Sequence, residues 1–269
     1  MEVLQLIVNG LMAGTILAVP AIGLTAIFAV LRFTNFALAS HMTIGAFAGF
    51  VANVTFGLPA VASLGFAFVI AGLVGVLSDE FVLKPFRRAG FITTAIGSIA
   101  LTIALENIVR FIFGNQLRGY NLPILRDWNI HGIRVSPQQV ENFVVAVIVM
   151  AALFAFLTFT RVGKSMRAVA DNPMLAAIKG INANVVARLV SFVAMGLAGL
   201  GGMLIGLDTT IDPLIGFKTI LQIFAAAVVG GLGSIPGAVV GALVVGVGDR
   251  KSTRLNSSHV SESRMPSSA

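Results

Sequence analysis

Few side chains in this sequence combine the type and the spacing that chemistry needs. Cysteine is absent from the 269 residues, which excludes disulfide frameworks, thiolate metal sites and thiol nucleophiles. Three histidines occur. His41 has Asn35 and Ser40 nearby but no second ligand, and His259 lies in a serine-rich tail, so no metal is assigned. Glu106 and Arg110 are four apart, so on a helix they share a face and can pair. Pairing lowers the cost of charge at membrane depth, and a structural ion pair is the expectation, with a gate as the alternative. Asp208 and Asp212 could hand on a proton, yet both fall at a loop and neither sits inside an apolar run.

Nucleotide chemistry fails on spacing. Gly163-Lys164-Ser165 could end a phosphate-binding loop, but the glycine required five positions before Gly163 is Thr158, and no strand precedes it. The glycine-rich run Gly230–Gly237 follows an apolar stretch of membrane length, not the strand a dinucleotide site needs. No nucleophile, base and acid stand in a recognisable set. The chain is therefore expected not to be an enzyme and to carry no cofactor.

The elements that must position these residues follow from composition. Hydrophobic residues make up 57% of the chain and charged ones 11%, with a mean hydropathy of +0.96. Soluble domains are about 25% charged. The net charge of +7 and pI near 10.8 would suit nucleic acid in a soluble protein, but no basic stretch is interleaved with aromatics. In a membrane protein the same excess marks cytoplasmic loops. No nucleic-acid partner is expected.

Apolar runs long enough to cross a bilayer, about 20 residues each, recur along the chain. They cover Val3–Leu31 (interrupted by Pro20), Phe36–Phe56, Ala60–Ser78, Phe91–Phe113, Phe143–Thr160, Leu189–Leu207 and Thr219–Gly248. The last is broken by the turn signal Gly230–Gly237, which fits either two crossings or one re-entrant hairpin. An all-α, polytopic integral membrane helix bundle of about seven apolar segments is expected. Met1-Glu2-Val3 offers no basic stretch before the first run, so no cleaved signal peptide is expected. Placing the basic loops 79–90 and 161–188 inside puts Arg32 inside as well, and Met1 and the loop 114–141 outside, in accord with the positive-inside rule. That outer loop holds Tyr120, Trp128, Pro123 and Pro137.

Small residues recur four apart at Gly10/Gly14, Gly45/Gly49, Gly202/Gly206 and Gly237/Gly241, a spacing that lets helix backbones approach closely in lipid. Plain helix packing is the first reading. A helix that lines a path or moves against a neighbour is the second. Residues 1–248 form one transmembrane domain by this pattern. The tail 249–269 holds seven serines and four Lys/Arg without apolar periodicity, which in physical terms reads as disorder. Its string RKSTRLNSSHVSESRMPSSA is similar to translated sequencing-adapter read-through, so the expectation is a tail foreign to the protein and a native C-terminus that is missing.

Residues 161–188 are the most informative. Asp171-Asn172-Pro173 is a helix start, because a side-chain oxygen can cap free N–H groups and proline suits the first helical position. Gly180 supplies the stop. One short helix, about Pro173 to Lys179, should therefore lie outside the bilayer. Its apolar Met174, Leu175 and Ile178 need a surface: lipid headgroups, the chain's own bundle, or a cytoplasmic partner whose groove takes the helix.

Four segments then carry a resemblance. TRVGKSMRAVADNPMLAAIKGIN (Thr160–Asn182), AAAVVGGLGSIPGAVVGALVVGV (Ala225–Val247), KPFRR (Lys84–Arg88) and LRFTNFA (Leu31–Ala37) resemble permease subunits of branched-chain amino-acid ABC importers, of the high-affinity transport-system type, over nearly all of residues 3–248. Two departures stand out. Leu38-Ala39-Ser40-His41 occupies the place where many relatives have a His-Gly-acidic triplet, and the tail replaces a further hydrophobic span.

The resemblance implies a multi-pass protein of the bacterial inner membrane. It would work with a sister permease, two cytoplasmic ATPase subunits and a periplasmic substrate-binding protein, with membrane lipid around it. It implies ATPase coupling through Arg161, Gly163, Arg167, Asp171, Asn172, Pro173, Met174, Leu175, Ile178 and Gly180. Polar positions within spans, Asn35, Ser40, Thr43, Glu106, Asn107 and Gln222, are the expected substrate pathway. The same machinery could carry urea, short amides or other amino acids. An ion-coupled secondary transporter is the alternative of a different class.

Overall fold

A computed structural model describes residues 2–122, 128–130 and 133–262. Pro123, in the outer loop, lies outside the described residues. The elements are α1 (Glu2–Leu31), α2 (Leu38–Phe50, continued by a wider π turn Val51–Thr55), α3 (Ala60–Ser78, continued by Asp79–Leu83), α4 (Lys84–Arg87), α5 (Phe91–Phe113), β1 (Trp128–Ile130) and β2 (Ile133–Val135). They continue with α6 (Pro137–Phe159), α7 (Arg161–Asp171), α8 (Pro173–Ile178), α9 (Ala183–Asp208), α10 (Ile215–Gly230) and α11 (Ile235–Glu262). β1 and β2 pair antiparallel in a small hairpin within the outer loop. Six helical stretches among the described residues are long and apolar enough to cross a membrane, and Ile215–Gly230 and Ile235–Asp249 are shorter apolar helices. The protein is a polytopic helical membrane bundle.

α9 is its axis. Seventeen of its 26 residues are buried, because glycines let three neighbours approach on different sides. A Cβ on Gly201 would lie 2.6 Å from Pro20 Cδ of α1, one on Gly202 would meet the Met42 carbonyl of α2, and one on Gly199 would meet Ala71 of α3. Without side-chain bulk, backbones pack close and gain dispersion energy that lipid does not supply. The glycine pairs seen in the sequence lie at helix–helix contacts except for Gly206, which faces the side chains of Tyr120 and Ile211.

α1 stays one helix through Pro20 and runs antiparallel to α11. A Cβ on Gly10 would fall 2.7 Å from Val247 Cα, and one on Gly14 2.8 Å from the Ala242 carbonyl. The expected seventh segment is a hairpin: α10 and α11 are joined by a turn in which Gly231 (φ +90°) and Gly233 (φ +98°) adopt left-handed conformations that favour glycine. Gly230 and Gly237 face each other there, and Gly241 faces Ala226. α11 continues as one helix past Gly248 to Glu262.

The basic clusters gather at one end of the bundle. Arg32 Nη2 donates to the Ala170 carbonyl at 2.6 Å. Arg188 of α9 makes two bonds to the Glu80 carboxylate at 2.9 and 3.0 Å, Asp79 pairs with Arg87, and the Arg87 guanidinium lies 5.5 Å from the Phe33 ring centroid. The opposite end is tied by the outer loop, where Arg118 and Ile211 exchange backbone hydrogen bonds at 3.0 and 2.8 Å.

Candidate translocation site and docking surface

Helix does not begin at Phe36, where the apolar run starts, but at Leu38. Arg32 has φ +57°, and the chain then runs as non-helical backbone into the bundle, with Phe33, Thr34, Asn35 and Ala37 all buried. Irregular backbone at membrane depth survives only where protein or a water-lined cavity satisfies it. Here α5 does so. The Phe36 amide donates to Ser98 Oγ at 3.0 Å, and Thr102 Oγ1 donates to the Phe36 carbonyl at 3.0 Å. Asn35 Oδ1 accepts from the Ala37 amide at 3.0 Å, just before α2. Ser98 and Thr102 lie two to three turns into α5, which sets how far the loop penetrates.

Along α5, Thr94, Ser98, Thr102 and Glu106 are buried at four-residue spacing, while Ile92, Ile96, Ile103 and Phe111 are exposed. The helix is inverted relative to a soluble one: its polar stripe faces inward and its apolar faces look outward. One turn beyond Glu106, Val109 packs with Ala46, Phe47, Ile211 and Ile215, so Glu106 sits in the seam between α2 and α5. Glu106 is 5% exposed and its Oε1 has no hydrogen-bond partner. The expected ion pair with Arg110 does not form: among the described residues the two do not come within ion-pair distance. The four-residue spacing permits pairing, but burial turns Glu106 into the seam while Arg110 stays half-buried.

Asn35, Ser40, Thr43 and Glu106 are all buried. Ser40 Oγ donates to the Ala37 carbonyl at 2.8 Å. Thr43 Oγ1 accepts from the Gly216 amide at 3.3 Å, joining α2 to the start of α10. Asn107 and Gln222 do not join them. Asn107 is exposed and bonds its own helix at the Ile103 carbonyl, and Gln222 Nε2 donates to Asp249 Oδ1 at 3.1 Å. Ser98 and Thr102 were missed from sequence. The i, i+4 ladder of hydroxyl residues ending in Glu106, within an otherwise apolar run, was the signal that could have found them. His41, fully buried on α2, places Nδ1 2.6 Å from the Ala37 carbonyl.

The outer loop closes over this seam. Tyr120 Oη donates to the Ala46 carbonyl at 2.9 Å, and the Asn121 amide donates to Asn53 Oδ1 at 2.8 Å. Burial pushes the Tyr120 phenol well above its ordinary pKa, so it remains a neutral donor. The Asp212 carboxyl lies below its ordinary pKa. Burial alone would raise it, but hydrogen bonds from Lys218 and the Leu214 amide, with the charges of Lys218 and Arg110, outweigh burial.

At the other end, α7 is amphipathic, with Gly163, Met166 and Val169 buried and Arg161, Lys164 and Arg167 exposed. Thr160 caps it through the Gly163 amide. Asn172 then caps α8, its Oδ1 accepting from the Leu175 amide at 3.0 Å, and Pro173 takes the first position. Gly180 (φ +80°) ends α8, with hydrogen bonds from the Gly180 amide to the Ala177 carbonyl and from the Ile181 amide to the Ala176 carbonyl. This is a Schellman-type stop. The helix ends at Ile178, one residue before the expected end. Ala176 faces the bundle, whereas Met174, Leu175 and Ile178 are 77%, 55% and 75% exposed. Of the three surfaces considered for them, the chain's own bundle is thereby removed. Asp171 is exposed at the junction between α7 and α8.

The chain is 30% identical over 262 residues to the high-affinity branched-chain amino acid transport system permease protein BraD of Pseudomonas aeruginosa, covering 91% of this chain and 85% of that protein. It is 30% identical over 267 residues to the permease protein LivH of Escherichia coli K12, covering 93% and 86%. A probable branched-chain amino acid transport permease protein LivH of Methanocaldococcus jannaschii is 29% identical over 253 residues, covering 87% and 76%. No solved structure gives a significant match. The profile of the family described as branched-chain amino acid transport system / permease component matches residues 6–260, and the chain belongs to that family.

Proposed function

We propose that the chain is the membrane subunit of an ATP-driven importer that carries branched-chain amino acids across a bacterial inner membrane. The observation that carries this reading is α8. A six-residue helix, capped at both ends, holds three large apolar side chains away from the bundle, and such a surface fits a groove on a cytoplasmic partner. The sequence shows no phosphate-binding loop, so the driving reaction is assigned to two partner ATPase subunits, one of which docks at α8. Gly163 seats α7 on the bundle and Asn172, Pro173 and Gly180 fix α8, so that Met174, Leu175 and Ile178 receive the push, with Arg161, Arg167 and Asp171 exposed beside them. A sister permease completes the path, and a periplasmic binding protein delivers the cargo.

For the path itself, the α2–α5 seam is the site. Asn35, Ser40, Thr43 and Glu106 are polar groups buried along α2, α5 and the non-helical stretch 32–37 that joins α1 to α2, and irregular backbone inside a bundle offers polar groups to a substrate. Glu106 supplies carboxyl oxygen to accept from an α-ammonium group. The apolar Ala46, Phe47 and Ile215 supply a wall for a branched side chain. Movement of the docked α7–α8 unit switches the bundle between two states.

Proteoliposomes holding this chain, its sister permease and both ATPases, with loaded binding protein outside, test the reading. Leucine uptake should require ATP, and Asp171→Ala with Pro173→Gly should reduce it at least about tenfold, the equivalent of roughly 1.4 kcal/mol of coupling. Uptake that survives those changes removes docking at α8 and keeps the importer. Uptake driven by a proton or sodium gradient without the ATPases overturns the proposal.

A further inference from the structure

A cleft of about 340 Å³ opens at the basic end of the bundle, apart from the α2–α5 seam. Its size is that of a small-ligand site. Its walls are apolar: Ala26 and Ala29 of α1, Leu157 of α6, Met166 of α7 and Val190 of α9. The turn from Gly233 to Pro236 closes one side. Phe154 of α6, 58% exposed, stands at another, where the cleft meets the surroundings of the bundle.

Two arginines frame its mouth. Arg167 lines it and is exposed, with only a 3.4 Å hydrogen bond from Nη2 to the Thr158 carbonyl. Arg32 reaches from the end of α1 to the carbonyl of Ala170, itself a lining residue. Neither arginine has an ion-pair partner among the described residues. Asp171 adds one carboxylate to the rim, but Arg161 and Lys164 continue the basic stripe of α7, so positive charge is in excess. α7 lays its buried face on the ends of the spanning helices and its cations outward, the arrangement of a helix at a membrane interface.

We propose that this cleft binds an anionic phospholipid, with one acyl chain along its apolar walls and the phosphate between Arg32 and Arg167. Basic pockets between membrane helices on the cytoplasmic side take anionic headgroups in this manner. A zwitterionic lipid brings its own cation to the arginines, and a soluble anion has no use for the apolar walls. The proposal does not depend on what the bundle transports.

The test uses the full chain purified in a neutral detergent, titrated with phosphatidylglycerol, phosphatidylcholine or glycerol 3-phosphate. Thermal unfolding and native mass spectrometry of retained lipid are the readouts. Phosphatidylglycerol should raise the midpoint saturably and remain bound, while the other two have no effect. Arg167→Gln and Arg32→Gln should each weaken half-saturation about fivefold, the factor one cation supplies near an anionic surface. Ala29→Phe should fill the cleft and remove the retained lipid; if that variant does not fold, exposed Arg167→Gln decides alone. An equal response to both lipids, a response to glycerol 3-phosphate, or unchanged affinity in Arg167→Gln overturns the proposal.

Discussion

At Asn172 the backbone leaves α7 in an extended conformation and turns into α8, and the side-chain oxygen takes up the Leu175 amide. Asn172→Ala should cost about 1 kcal/mol of local stability, read as roughly fivefold faster hydrogen exchange at the Leu175 amide. Asp212 allows a second prediction. Its folded pKa is depressed, so the stability it contributes is fully present above its unfolded pKa and is lost as pH falls through the lower folded value. The stability difference between the native chain and Asp212→Asn should be constant at neutral pH and vanish under strong acid, as thermal unfolding at a series of pH values would show. Residues whose roles are local were legible in the sequence: Asn172, Pro173 and Gly180 act within a few positions of themselves. Glu106 was legible as a group of interest but not in its state. Whether it meets Arg110 or turns into the seam depends on α2, some 60 residues earlier.

Among the elements, the α10–α11 hairpin depends on the absence of side chains where its arms meet. A methyl on Gly237 would run into the Gly230 carbonyl, and backbone cannot yield as a flexible side chain does. Gly237→Ala should therefore cost about 1–3 kcal/mol through overpacking, seen as a lowered unfolding midpoint of the full chain in detergent. The glycine and proline run announced this turn, and the apolar runs announced the spans. The late start of α2 was not announced. Residues 33–37 are ordinary in composition, and what holds them non-helical is the pair Ser98 and Thr102 on another helix. Likewise α6 begins at Pro137, six residues before its apolar run, because Ser136 and Pro137 form a helix start that hydropathy does not register.

For the whole molecule, the charge pattern predicted that Arg32 and the loops 79–90 and 161–188 share one side. They do meet at one end, through Arg32 with Ala170 and Arg188 with Glu80. The natural lack of cysteine makes sidedness simple to measure. In sealed, right-side-out vesicles, a membrane-impermeant maleimide should label Trp128→Cys, an exposed position, and should label Met174→Cys only after the membrane is opened. Labelling of both from one side would defeat the assigned orientation. Composition was enough to give the class of fold. It could not rank the helices, because α9 at the axis and α5 at the rim are both apolar, and only the glycines on three sides of α9 separate them.

The antiparallel contact of α1 with α11, through Gly10 and Gly14, also bears on biosynthesis. α1 leaves the ribosome long before α11, the neighbour it takes, so this contact forms late and across a long sequence separation. During synthesis the Gly10/Gly14 face stays bare in the bilayer, open to the insertion machinery or to any other small-residue helix that passes. A nascent chain stalled before Gly237 would carry that face unprotected. It should be a preferred substrate for membrane quality-control proteases.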